Sequence, residues 1–213
     1  MTGTKSKKNI NKLGQSIGPK GNDSRQRLLQ AARELLISNK RVTVADITNL
    51  SGLSPSAFYV YFSNIDDVLL ALANLAADDM SEIHAILDES WDKDRLGELS
   101  QRFIRAFYTY WGRHREVLAM RNFQSDLGNI NFEAARRKAA MPIVSKIAQL
   151  IEEAHRANDM MVENAMARSI IFYAAVERLA GRTSRSELQA GDLSDDELMS
   201  AEAHILTLLF ELN

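Results

Sequence analysis

Four histidines, no cysteine and a scatter of carboxylates are the raw material for chemistry in this 213-residue chain. His84 stands four residues before Asp88, and His155 lies three after Glu152 and four before Asp159, spacings that bring two side chains to one helix face. Two such groups do not complete a tetrahedral site, and with no thiolate the usual structural zinc sites are excluded. These residues, with Glu153 and Arg156, therefore read as solvated pairs, and no metal or cofactor is expected. G-x-S-x-G, the phosphate loop, the dinucleotide fingerprint and H-E-x-x-H are all absent, so the chain is expected not to be an enzyme. Charge carries more information. Residues 1–62 hold ten Lys/Arg against three acids, a balance of +7, while residues 63–213 carry −9 within a chain of net −2. That split describes a basic module suited to a polyanion, joined to an acidic body.

The elements that position these charges read as all-α, with about nine helices. Composition (46% hydrophobic, three prolines, ten glycines) supports a packed core and long helices. The longest apolar run, Ile170 to Val176, is far short of the ~20 residues that cross a bilayer, and the polar start MTGTKSKKNI lacks a signal peptide's apolar core. A cytoplasmic chain without a membrane segment is expected. Residues 1–22, rich in Lys, Asn, Ser and Gly, read as a flexible basic arm. Helix one is expected from Asp23, paired with Gln26 as N-cap and N3, to about Asn39, with Leu28, Ala31, Ala32, Leu35 and Leu36 at helical spacing. Thr43 opens helix two, which turns Val44 and Ile47 inward and stops at Gly52. Ser54 and Pro55 open helix three at once. Further helices are expected at 65–90, 94–112, 114–126, 132–157, 163–181 and 195–211, the last announced by the capping box that starts at Ser194.

Two helices joined only by Gly52-Leu53-Ser54 must cross steeply, the helix-turn-helix arrangement whose second helix enters the major groove of DNA. The pieces Leu29-x-Ala31-Ala32-x-x-Leu35, Thr43-Val44-x-x-Ile47, Gly52-Leu53-Ser54 and Phe58-Tyr59-x-Tyr61-Phe62 run in register over about forty residues. Together they resemble the N-terminal domain of the TetR family of bacterial transcriptional regulators. Phe58 and Phe62, four apart, are expected to pack against helix one, leaving Ser56, Ala57, Tyr59 and Val60 toward the groove. The resemblance implies that Thr43, Ser54, Ser56, Tyr59 and Tyr61 lie at or near DNA, where hydroxyls suit phosphate oxygens. Tyr61 also reads as a core aromatic with its hydroxyl at the surface. Two departures stand out. The lysine common at the start of the fourth helix is Ile65 here, and the small alanines usual in helix two are Thr48 and Ser51. Lys12, Lys20, Arg25 and Arg41 are expected to restore some of the lost phosphate attraction. The domains expected are thus the arm at 1–22, a DNA-binding domain at 23–68, and a helical effector-binding and dimerisation domain at 69–213.

A helix-turn-helix dimer reads two half-sites, so a homodimer on a palindromic double-stranded DNA operator is expected. The resemblance puts the dimer contact on the last two helices. There Ala165, Ile170 and Ala174, then Leu198, Ala201, Ile205, Leu208 and Leu209, offer small and branched surfaces for an intermolecular four-helix bundle. The middle helices concentrate aromatics and methionines: Phe103, Phe107 and Trp111, then Met120, Phe123 and Met141, then Tyr173. Such a stripe serves either as core or as the lining of an apolar pocket. Glu177 reads either as a group selecting an amine or hydroxyl, or as a surface carboxylate paired with Arg178 or Arg182. The function this implies is a repressor released from its operator by a small apolar or aromatic effector. The alternative is an effector-independent DNA-binding dimer that answers to a protein partner or organises chromosomal sites.

Overall fold

The computed structural model describes residues 18–38, 40–182 and 193–211, and among these it contains nine α-helices and no strand. Contacts divide the chain into two compact units, one through Leu75 and one from Ala76 onward.

The first unit is built on α1 (Pro19–Ile37), α2 (Val44–Ser51), α3 (Pro55–Tyr61) and the first turns of α4 (Ile65–Asp78). Helix α1 starts four residues earlier than Asp23. Pro19 presets the helical φ at the first position, and the Asn22 amide bonds the Gly18 carbonyl (2.9 Å), so Asp23 and Gln26 lie inside the helix rather than at its cap. Lys20 and Arg25 are accordingly helical residues, and the expected arm is shorter at its C-terminal end; residues 1–17 lie outside the described residues. Leu28, Leu29, Ala31, Ala32 and Leu35 of α1 are buried, as are Ile47, Phe58, Phe62, Val68, Leu69 and Leu72. The periodic apolar stripe of each segment thus becomes one core, each large side chain contributing about 1.5–3 kcal/mol on burial.

The turn between α2 and α3 is fixed by its residue types. Gly52 sits at φ 65°, a left-handed conformation that favours glycine, and a Cβ there would lie 3.1 Å from Arg27 Nη2, so the guanidinium would have to shift by a few tenths of an ångström. The Arg27 guanidinium donates through that nitrogen to the Ser51 carbonyl, tying α1 to the end of α2. Thr48 and Ser51, in place of the expected alanines, satisfy their hydroxyls locally: Thr48 Oγ1 donates to the carbonyls of Val44 (2.9 Å) and Ala45 (3.1 Å), and Ser51 Oγ to that of Thr48 (3.2 Å).

The second unit contains α5 (Ser81–Leu87), α6 (Leu96–Asp126), α7 (Ile130–Arg156), α8 (Ala165–Arg182) and α9 (Asp195–Phe210). The expected helix 65–90 is broken at Asp79-Met80. Asp79 accepts from His114 Nε2 (2.8 Å) and Arg113 Nη1 (3.3 Å), a long-range pull that local sequence does not encode. The expected helices 94–112 and 114–126 are one continuous α6, because Gly112 costs only about 1 kcal/mol within a helix and no proline or cap follows it. Helix α6 is the central element, packing against α5, α7, α8 and α9. Gly128 at φ 84° ends the α6–α7 connection, and Asn129 caps α7. Ser194 and Glu197 form the expected reciprocal capping box at the start of α9.

Candidate nucleic-acid interface and a buried ion cluster

The residues expected at DNA fall on α2, α3 and their approaches, but they are not equally free to act. Thr43 is the N-cap of α2: its hydroxyl accepts from the Asp46 amide (3.1 Å) and donates to Asp46 Oδ2 (2.6 Å). Ser54 caps α3 by accepting from the Ala57 amide (3.2 Å), and its Oγ lies 2.8 Å from that of exposed Ser56. Tyr59 is 46% exposed and Val60 equally so, whereas Ala57 and Tyr61 are half-buried. Tyr59 is held edge-on to the buried Phe58 ring (5.4 Å), which orients it while leaving its outer edge in solvent. Helix α3 thus presents Ser56, Tyr59 and Val60 outward and uses Phe58, with Phe62 beyond its end, as anchors.

Cations border this surface unevenly. Arg41 and Lys20 are exposed. Arg25 lies over the Phe62 ring at 5.4 Å, and partial burial pulls its pKa below the ordinary arginine value, so it is a packed cation rather than a freely reaching one. The start of α4 is closed to anions by its own side chains: the Ser63 amide donates to Asp67 Oδ2 (2.8 Å), and the Asp67 amide to Asn64 Oδ1 (2.9 Å). Asp66 and Asp67 in that first turn add negative charge where Ile65 already lacks an ammonium group.

In the body, Phe103, Phe107, Trp111 and Tyr173 are buried along α6 and α8, with ring contacts between Phe103 and Phe107 at 6.1 Å and, edge-on, between Phe107 and Tyr173 at 5.6 Å. Gly181 lets α8 approach the Trp111 indole, since a Cβ there would lie 3.1 Å from Cζ3. Met120 and Met141 are half-buried, but Phe123 is 61% exposed and does not join this interior cluster. Residues two apart on a helix point about 200° away from each other, so with Arg121 buried Phe123 faces outward.

Glu177 is not the surface carboxylate of one of its two readings. Buried near Tyr173, Val176 and Ala180, it is not a surface partner of Arg178 but is engaged by two arginines of other helices. Its Oε1 accepts from Arg121 Nη2 (2.9 Å), and its Oε2 accepts from Arg136 Nε (2.9 Å) and Nη2. Arg121 Nε donates to Asn122 Oδ1 (2.9 Å), and Arg136 Nη1 to the exposed Asp126 (3.1 Å). Burial opposes the charge on Arg136, but Glu177 and Asp126 outweigh it and raise its pKa. Burial likewise pushes the Tyr173 hydroxyl up, with the Glu177 charge adding to it. Arg121 and Arg136 are candidates that sequence reasoning missed. The available signal was an arginine in helical register with Val117 and Leu118, and a glutamate in register with Tyr173 and Ala180, two opposite charges on apolar faces.

The expected dimer residues divide. Ala165 is buried within its own unit and is corrected to a core residue, but Ile170, Ala174, Ala201, Ile205 and Leu208 are exposed, and Leu198 and Leu209 are half-buried. Ile171, not anticipated, is 71% exposed beside Ile170. Of the histidines, His155 is a buried core residue with Nδ1 2.9 Å from the Ile151 carbonyl oxygen. Among the described residues no single helix is long and apolar enough to cross a membrane.

Residues 28–72, covering the three-helix module and the start of α4, match the family model for bacterial regulatory proteins of the tetR family. That segment is therefore similar to the DNA-binding domain of this family. TetR-family regulators also share the fold of the chain beyond it. A regulator of the TetR/AcrR family from Thermobifida fusca is 21% identical, with a TM-score of 0.63 over 87% of this chain and 97% of that one. FadR from Bacillus subtilis, solved with stearoyl-CoA, is 12% identical with a TM-score of 0.64 over 87% and 97% of the two chains. LfrR from Mycobacterium smegmatis, solved with proflavine, is 14% identical with a TM-score of 0.57 over 92% and 99%. No curated protein sequence matches the chain.

Proposed function

We propose that this chain is a homodimeric transcriptional repressor that leaves its operator when a small apolar or aromatic effector binds the helical body. The observation that carries the DNA-binding part is α3 itself: a short helix anchored by Phe58, preceded by the glycine turn at Gly52, with Ser56, Tyr59 and Val60 turned to solvent. Ser56 and Tyr59 supply hydrogen-bonding groups for base edges and phosphates, and Val60 an apolar contact of the kind that suits a thymine methyl. Lys20, Arg25 and Arg41, with Thr43, Ser54, Ala57 and Tyr61, complete the proposed contact surface on a palindromic operator.

Dimerisation is supported by the exposed apolar residues Ile170, Ile171 and Ala174 on α8 and Ala201, Ile205 and Leu208 on α9, a density of apolar surface that a solvated face does not need. Effector binding is supported by the aromatic wall of α6 and α8 and by the small molecules in the B. subtilis FadR and M. smegmatis LfrR structures. In this reading the effector acts by differential affinity. It must prefer the non-binding arrangement by a few kcal/mol, since equal affinity for both states shifts nothing. The test is footprinting of purified protein on the DNA upstream of its own gene, with and without a panel of apolar and aromatic compounds. A two-fold-symmetric footprint lost with one compound class supports the reading. A footprint that no compound alters rejects the effector and leaves the effector-independent regulator.

A further inference from the structure

Helix α3 lacks the side chains that tell one purine from the other. Its sequence, PSAFYVY, contains no Arg, Lys, Asn, Gln, Asp or Glu. In the major groove guanine is read by the donors of Arg or Lys, adenine by the amide of Asn or Gln, and cytosine by an acidic acceptor. What α3 turns outward instead is hydroxyls and apolar atoms: Ser56, Tyr59 and Val60 are exposed, with Ala57 half-buried beside them. A hydroxyl both donates and accepts, so those of Ser56 and Tyr59 suit any base edge or a phosphate and select little. Neighbouring groups of the missing types are committed elsewhere. Lys40, Arg41 and Asn49 line a hollow between α1 and α2. Arg27 is bonded to the Ser51 carbonyl, Arg25 lies over the Phe62 ring, and Asn64 accepts from the Asp67 amide at the start of α4.

We propose that α3 recognises the C5-methyl group of thymine, chiefly through Val60, and that the half-site is defined by thymine methyls rather than by hydrogen bonds to guanine or adenine. Thymine is the base whose major-groove edge carries an apolar group, and small or aromatic apolar side chains pack on it. Val60 is suited to that contact. It is 46% exposed, so its methyls are free to meet a partner, and its branched side chain is stiff at χ1, so little rotamer freedom is lost on contact. Tyr59, held edge-on to the buried Phe58, places a ring beside it. The contact is favourable because apolar surface of both partners leaves water, a gain that an unmethylated pyrimidine edge does not return. Exposed Lys20 and Arg41 then supply phosphate attraction that carries no sequence information. This inference rests on the DNA-binding reading above and specifies the base feature that α3 reads.

The experiment uses the full-length chain to enrich sequences from a random duplex library, then remakes the enriched duplex with deoxyuridine in place of each thymidine in turn. Uracil keeps the base pair and every hydrogen-bonding group of thymine and lacks only the methyl. Affinity is compared with that for an unrelated duplex carrying the same replacements, which reports any general change in DNA shape. The expected result is a loss confined to matching positions of the two half-sites, about tenfold when both are replaced, with the unrelated duplex unaffected. Val60→Ala, a change at an exposed position, shrinks that loss to about threefold or less because fewer apolar atoms meet the methyl. An enriched duplex whose affinity is indifferent to uracil overturns the methyl readout, and so does a loss that is the same in Val60→Ala as in the parent; either leaves a sequence-specific DNA-binding protein. Enrichment of no sequence rejects that underlying reading itself.

Discussion

Glu202 gives the fold a pH dependence that is separable from its function. The residue lies on α9 with its side chain buried, and neither carboxylate oxygen has a hydrogen-bond partner among the described residues. The Tyr108 hydroxyl lies close by, short of a well-formed hydrogen bond, and offsets part of the burial of Glu202, while burial together with the Glu202 charge raises the phenol above the ordinary tyrosine range. Burial pushes Glu202 from its ordinary 4.5 up to about 7. Below pH 4.5 the acid is protonated in both folded and unfolded chains and contributes no difference. Between 4.5 and 7 the unfolded chain has released this proton while the folded chain still holds it, so stability falls as pH rises, by about 1.4 kcal/mol per pH unit. Above pH 7 the loss is complete, at up to about 3 kcal/mol by the same arithmetic. Glu202→Gln keeps the shape and the neutral form at every pH. The assay is urea unfolding of both proteins from pH 4.5 to 8.5, taking the difference so that other titrating groups cancel. The variant is expected to match the parent at pH 4.5 and to exceed it by up to about 3 kcal/mol at pH 8. A difference independent of pH, or one that grows toward acid, refutes the argument from burial.

Other perturbations separate stability from binding. Gly52→Ala forces a Cβ into a left-handed residue against Arg27 and is expected to destabilise the first unit by about 1–2 kcal/mol, measured by denaturant unfolding. Glu177→Leu leaves Arg121 buried without its counter-charge, and about 3–5 kcal/mol is expected to be lost. Deleting residues 1–17 removes Lys5, Lys7, Lys8 and Lys12 and is expected to flatten the slope of log affinity against log salt by up to about 3.6 per protomer, equally for operator and unrelated DNA. An unchanged slope assigns those lysines no role at phosphate. Ile205→Glu with Leu208→Glu places two charges on the exposed face of α9 and is expected to turn a dimer into monomers in sedimentation, with matching loss of operator affinity.

What the sequence made legible was local. Gly52, Ser54-Pro55 and the Ser194 capping box mark helix ends by backbone geometry that neighbouring residues impose, and the structure uses each for that purpose. The Phe58 and Phe62 anchors followed from four-residue spacing alone. What escaped depends on partners far along the chain. The break between α4 and α5 is held by His114 and Arg113 acting on Asp79, over thirty residues away. Gly112 looked like a helix end, but its small local cost is readily met in an α6 that packs against α7, α8 and α9. The role of Glu177 was misread because the positions of Arg121 and Arg136, 56 and 41 residues away, become visible only once three helices meet. The candidate DNA surface was legible as a set of residue types, but not the engagement of Thr43 with Asp46 or the closing of the α4 N-terminus by Asn64 and Asp67.

The central claim is that α3 reads DNA through its outward face. The most direct test is titration of purified protein against DNA from its own upstream region and against unrelated DNA across a salt series, comparing the parent with Tyr59→Ala. The account predicts tight, steeply salt-dependent binding that favours the upstream DNA, with Tyr59→Ala losing that preference while keeping its fold and most of its non-specific affinity. Binding that does not distinguish the two DNAs, or a preference that Tyr59→Ala leaves intact, contradicts it.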